Sequence, residues 1–302
     1  MLSRNKNQLQ LNWLLETASV SKSGFYEWKS NTKKRKEREK KDRADFNLIL
    51  KAFKYRGYDK GARDIYMRLQ HEGKIMNVKK IRRLMKKYGL ICPIRKPQPY
   101  RQNLRDENDG RKYDNVLNRN FREYGPRTVL LTDTTYLYYY NEQRCFLSAV
   151  KDAYTGECLA YMLSQDLKLK FVLKTFSLVA EKHGNEIPDN ALAHSDQGAY
   201  YVSVRFSKFI DDLGFARSMS KKANCWDNAP QESFFGHMKD EIGAKVRNCS
   251  SFSEVRAIVD DWMDYYNNER PQWNLAKLTP REYYEYCNTG IYPFKELPKN
   301  AK

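Results

Sequence analysis

"RTVLLTDTTYLYYYNEQRCFLSAVKDAYTGECLAYMLS", residues 127–164, decides the fold. Its three β-branched and aromatic runs, "RTVLLTDTTYLYYY", "QRCFLSAVKD" and "GECLAYMLS", read as strands, with "AYTG" as the turn between the second and third. Close spacing makes them a meander. Downstream the period changes. "LKLKFVLKTFSLVAEKHG" puts Leu169, Val172, Leu173, Phe176, Val179 and Ala180 on one helical face, and Gly184 ends it. "NALAHSD" reads as a short buried strand, "SVRFSKFIDDLG" as a helix, "FARSMS" as a strand and "APQESFFGHMKDEIG" as a helix. The order β-β-β-α-β-α-β-α predicts an α/β domain with helices packed on a mixed sheet. Two further helical stretches, "SEVRAIVDDWMDYYNNERP" and "TPREYYEY", follow it.

Upstream the chain is helical and basic. Residues 1–112 hold 31 Lys and Arg against 12 Asp and Glu, whereas residues 113–302 hold 24 against 25. All the excess of the net +18 therefore sits in the first third. Clustered positive charge fits a polyanion, nucleic acid first, although a soluble basic helical module with no partner has the same composition. "KSNTKKRKEREKK", residues 29–41, reads as a solvated helix or a linker that tracks a DNA backbone. "DFNLILKAF", "GARDIYMRLQHEG" and "NVKKIRRLMKKYGL" read as three helices, the last capped by Asn77 and ended by Gly89. In that helix Val78, Ile81, Leu84 and Met85 form an apolar stripe, and Lys79, Lys80, Arg82, Arg83, Lys86 and Lys87 crowd the other faces. Two short helices with a very basic second member fit a helix-turn-helix on double-stranded DNA. The proline-rich segment 92–112 marks a linker.

Several classes are excluded. No apolar run approaches membrane-spanning length, and no signal-peptide pattern opens the chain, so a cytoplasmic protein is expected. Six scattered cysteines without a C-x-x-C pair read as reduced thiols, and four histidines lack metal-ligand spacing.

Three acids in the neutral domain stand out. Asp133 lies inside the first strand, where Asp is normally avoided. Asp196 lies just past the next apolar strand, and Glu232 in the first turn of a late helix beside Pro230. Singly, each has a plain structural role open to it: a strand-end acceptor, turn chemistry before Gly198, a favourable place on a helix dipole. Together they would repel unless a cation joined them. Hard oxygen donors select Mg²⁺, with Mn²⁺ as a substitute, and two such ions suit an in-line phosphoryl displacement. Asp152, in "VKDAYTG", is fully explained by a turn.

These residues resemble a known family. Thirty-five residues separate Asp196 from Glu232, and "TDTTYL", "HSDQGAYY", "SMSKKANCWDNAPQESFFGHMKDE" and "YYNNERPQWNLAKLTPREYY" surround the acids and follow them. The chain resembles DDE-type insertion-sequence transposases, the OrfB type of the third insertion-sequence family, over about residues 45–285. The resemblance implies an RNase H-like, retroviral-integrase-like core with a five-stranded mixed sheet at 125–245. Before it come helices and a basic run at 1–41, a helix-turn-helix region at 42–96 and a linker at 97–124; C-terminal helices at 246–302 follow. It implies two Mg²⁺ held by Asp133, Asp196 and Glu232, and DNA cut and joined at element ends, that is, terminal inverted repeats and target DNA. It further implies a multimer on DNA, a nucleoid location, and a small upstream DNA-binding protein or frameshift fusion partner. Lys239 matches the family's basic residue; two turns after Glu232, on the same face, it is placed to hold a phosphate, or is a plain surface lysine. Asn228 shapes the opening of the helix or touches substrate. Leu130 stands where the family often has Trp, and Ala223 where it has Gly. A catalytically inactive DNA-binding regulator and a ribonuclease H are the alternative functions.

Overall fold

The computed structural model describes residues 11–58, 60–92, 113–220 and 225–294. Its N-terminal third is helical: α1 (Leu11–Thr17), α2 (Lys22–Ser30), α3 (Thr32–Lys54), α4 (Ala62–His71) and α5 (Val78–Lys87). Lys29 and Ser30 end α2, whereas the rest of the basic run from Thr32 and the apolar segment after it form one continuous helix, α3, which passes straight through position 42. Lys, Arg and Glu are good helix formers, so nothing local stops it. Asn77 caps α5 by accepting the Lys79 N–H at 2.8 Å. Ile81, Leu84 and Met85 of α5 pack on Ile49 and Ala52 of α3 and Ile65 and Leu69 of α4 in one small core. Residues 93–112 of the expected linker, and Ala223, lie outside the described residues.

The sheet comprises β1 (Val129–Tyr139), β2 (Gln143–Asp152), β3 (Cys158–Ser164), β4 (Leu192–Ser195) and β5 (Ala216–Met219), in the order β3-β2-β1-β4-β5. The first three are antiparallel; β4 joins β1, and β5 joins β4, in parallel. Both faces are covered. On one, α6 (Leu169–His183) and α7 (Val204–Asp212) bury Val172, Phe176 and Phe206 against Leu130 and Val150. On the other, α8 (Ala229–Arg247) and α9 (Phe252–Asn268) bury Phe234, Met238 and Trp262 against Leu137, Leu147 and Ala149. Leu130, the departure from the family's Trp, is fully buried, so a smaller core residue is accommodated there.

α10 (Pro280–Thr289) opens with a Thr279–Glu282 capping box. The helical third docks on this C-terminal part: Arg56 pairs with Asp261, Asp264 and Glu269, and His71 bonds Glu282. Among the described residues no helix is long and apolar enough to cross a membrane, and Cys145, Cys158, Cys249 and Cys287 are free thiols.

Candidate active site

The parallel pairing of β1 with β4 sets the site. Leu131 faces His194 across the two strands, so two residues on, Asp133 inside β1 stands level with Asp196, just past the end of β4. Such strands lie about 4.8 Å apart. Asp133 shares its strand face with Leu137 and Tyr139, the face that meets α8, and α8 carries Glu232 in its first turn. Three chain-distant carboxylates thus converge from β1, β4 and α8.

Burial and neighbouring charge act on all three carboxyls, though not in the same way. Burial pushes the Asp133 carboxyl well above the usual carboxylate range, and the charges of Asp196 and Glu232 push it further. The Thr134 N–H, at 2.6 Å, and the charge of Lys239 pull it back. Burial raises Asp196 against the pull of the Gly198 N–H, which donates to its Oδ1 at 2.9 Å. Glu232 is raised by burial and then by Asp196, although its side chain reaches the surface. None of the three is ion-paired with arginine among the described residues. Nor are any three histidine, cysteine or carboxylate side chains gathered tightly enough to hold a metal ion as they stand.

Neighbouring residues fix these acids. A Cβ on Gly198 would lie 2.9 Å from Asp196 Oδ1, so glycine leaves the carboxylate its place. Buried Tyr201 lies beneath both aspartates, its hydroxyl 3.5 Å from Thr132 and its acidity suppressed by burial and by their charges. The first turn of α8 is tied to β2 twice. Lys151 Nζ donates to the Pro230 carbonyl at 2.7 Å, and Gln231 Nε2 donates to the carbonyl of Ala149, the residue opposite Asp133, at 3.4 Å. None of Gly198, Tyr201, Lys151 or Gln231 is singled out by the sequence. Buried polar residues in otherwise apolar runs are the signal that marks Lys151. Asp152 accepts from Tyr154 and Thr155 at the turn, as expected of it.

Known proteins are similar to this chain in sequence. A family pattern described as an HTH-like domain matches residues 39–98, and patterns described as an integrase core domain match 123–225 and 213–280. InsK of Escherichia coli K12, assigned as the transposase of insertion sequence element IS150, is 34% identical over 223 residues, 74% of this chain and 76% of InsK. The chain belongs to the insertion-sequence transposases with an integrase core. A transposase-like protein of Haemophilus influenzae is 30% identical across 69% of this chain and 93% of its own length. Among solved structures, the magnesium-bound catalytic core of HTLV-2 integrase matches with a TM-score of 0.43 at 15% identity, over 54% of this chain and 99% of that one. A chain of a simian T-cell lymphotropic virus intasome matches with a TM-score of 0.47 at 14% identity, over 84% of this chain and 80% of that one.

In this transposase Lys239 lies two turns along α8 from Glu232. Its ammonium is 4.9 Å from the centre of the Tyr136 ring, and its charge reaches Asp133. Asn228 precedes α8 but makes no side-chain cap; it is buried with Oδ1 lacking a hydrogen-bond partner among the described residues. The six basic residues of α5 divide into two stripes. Lys80, Arg83 and Lys87 face α3: Lys80 pairs with Asp45 at 2.5 Å, Arg83 with Asp42 at 2.7 Å, and Lys87 with Glu39 and Asp42 at 2.5 and 2.8 Å. The two cations hold the Asp42 carboxyl far below its usual range. Lys79, Arg82 and Lys86 are exposed and make no ion pair among the described residues.

Proposed function

We propose that this transposase cuts DNA at the ends of its insertion sequence and joins them to target DNA. The observation that carries the reading is the placement of Asp133 and Asp196 level on neighbouring parallel strands with Glu232 in the first turn of the helix packed on them; the charges of Asp196 and Glu232 reach Asp133, and that of Asp196 reaches Glu232. The donor set fits a hard divalent cation: three carboxylates, partly desolvated, with like charges that a cation would relieve. Asp133, Asp196 and Glu232 would hold two Mg²⁺, or Mn²⁺ in substitution. Such ions supply charge neutralisation and activation of the attacking and leaving oxygens.

The chain's own residues do the rest. Gly198 and Thr134 orient the two aspartates, and the ties from β2 hold Glu232 over them. Lys239 sits where it can bind the phosphate next to the scissile bond. Water attacks one phosphodiester and frees a 3′-OH; that 3′-OH then attacks a second phosphodiester and displaces its 3′-oxygen. α5 places the DNA through its outward stripe, and Asn228 orders the approach to α8. Pairing of two ends calls for a multimer, and a small upstream DNA-binding protein or fusion partner would assist end recognition. The function belongs to the nucleoid of the cytoplasm. The division into 42–96, 97–124, 125–245 and 246–302 belongs to this reading, with α3 bridging its first boundary.

Cleavage of DNA carrying the element's ends tests it. The wild-type chain cuts with Mg²⁺ or Mn²⁺ and not with EDTA, and Asp133→Asn lowers cutting by about three orders of magnitude. Undiminished cutting by Asp133→Asn would reject the catalytic assignment and favour another site.

A further inference from the structure

A cavity of about 650 Å³ lies beside α8, on the flank away from the three carboxylates. Glu232 and Lys239 lie along one side of the exposed arc of α8; Pro230, Ser233 and His237 line the cavity on the other. Ser233 is about 100° around the helix from Glu232. Gly236 lies between the two flanks, and a Cβ there would meet nothing within 4 Å. The shortest path from the carboxylates to the cavity therefore crosses α8 at a residue with no side chain.

The cavity wall is cationic. Lys151 comes up from β2 into the wall and is 5% exposed. Its ammonium donates to the Pro230 carbonyl and has no carboxylate in ion-pair range among the described residues. Arg122 Nη1 donates to the Asn274 carbonyl at 3.1 Å and likewise has no carboxylate partner among them. Glu123 is the one acid on the described wall. A buried ammonium held only by a carbonyl and by the Phe234 ring, whose centre is 5.3 Å away, is costly, and burial lowers Lys151 to about 8. An entering anion would remove that cost. The volume lies within the about 300–1,000 Å³ of small-ligand sites, and Phe121 and Tyr154 add aromatic surface suited to a base.

We propose that this cavity is a second DNA subsite: it takes a phosphodiester-linked nucleotide of the substrate strand after the strand crosses α8 at Gly236, with Lys151 and Arg122 on the phosphate. The proposal rests on the reading that the chain acts on DNA, but not on the identity of its metal ligands. Because Lys151 also holds the Pro230 carbonyl, occupation of the cavity bears directly on the helix turn that carries Glu232.

The test is calorimetric titration of the full chain with the trinucleotide d(TTT) in EDTA, so that neither metal nor cleavage enters. Lys151→Met and Arg122→Ala each weaken binding by about tenfold, and Lys151→Arg retains most of it. The double variant Lys174→Ala, Lys208→Ala, exposed cations of α6 and α7 outside the cavity wall, leaves it unchanged. Equal affinity of wild type and Lys151→Met overturns the proposal, as does an equal loss in that double variant. Inorganic phosphate that competes as well as d(TTT) also overturns it, since a lone anion rather than a strand would then fill the site. Thermal unfolding checks Lys151→Met; should it be unfolded, the exposed Arg122→Ala decides alone. Tenfold weaker d(TTT) binding by Lys151→Met beside undiminished cutting by Asp133→Asn would reject the catalytic assignment and leave the cavity standing.

Discussion

The helical third and the sheet domain treat like charges in opposite ways. In the helical third, cations are spread along α3 and α5, and half of those on α5 are neutralised by Glu39, Asp42 and Asp45 one helix away. In the sheet domain, three anions are drawn together, partly desolvated, and opposed by the charge of Lys239. The first arrangement stabilises the fold and leaves one outward stripe for a polyanion. The second costs stability, a cost that the proposed cations would relieve. Excess charge along a sequence therefore does not say which residues are available; packing does.

The contrast can be broken most directly on α5. Lys79→Ala, Arg82→Ala and Lys86→Ala together weaken DNA binding and lower the salt-dependence slope by about 2.7, as loss of three phosphate contacts requires. Arg83→Ala leaves that slope nearly unchanged and lowers the unfolding temperature instead. Its cost has a pH signature. The Asp42 carboxyl is held below its usual range, so its contribution to stability is present above about pH 4 and is lost as pH falls toward the depressed folded value. Arg83→Ala therefore loses less on acidification than wild type. A large slope change for Arg83→Ala, or none for the triple variant, would dissolve the distinction between the stripes.

A smaller effect sharpens the other half. In EDTA at neutral pH, Asp133→Asn raises the unfolding temperature, by about 2–4 °C for each kcal/mol of repulsion and desolvation relieved. The folded Asp133 carboxyl is raised, so it binds its proton more readily folded than unfolded. Wild type accordingly recovers stability as pH falls through the raised value, and the two unfolding temperatures approach each other. A destabilised Asp133→Asn would show that the acid is a structural acceptor.

Much of this was legible in the sequence. Strand β2 spans the run "QRCFLSAVKD" that the sequence marks, and the order of elements in the sheet domain follows from the change of period after Ser164. The three acids proposed as the site drew notice because Asp133 breaks a strand rule and because Asp196 and Glu232 stand at a fixed spacing inside family motifs. Three features were not. The continuity of α3 was obscured because charge runs suit helix and linker alike. The division of α5 into two stripes depends on where Glu39, Asp42 and Asp45 fall after packing, which no window of α5 contains. Lys151 and Tyr201 gain their roles from Pro230 and from the two aspartates across the fold, contacts that tertiary structure alone creates.

Glu232 is the most exposed of the three acids, and it reaches the site from a different layer, so it tests convergence best. The decisive measurement is the Mg²⁺-induced rise in unfolding temperature of the full chain, compared with that of Glu232→Gln, Asp133→Asn and Asp196→Asn. One shared site predicts a clear rise for wild type and its loss or near loss in each single variant. A full Mg²⁺ shift in Glu232→Gln would contradict the account, because the third carboxylate would then lie outside the cation's reach.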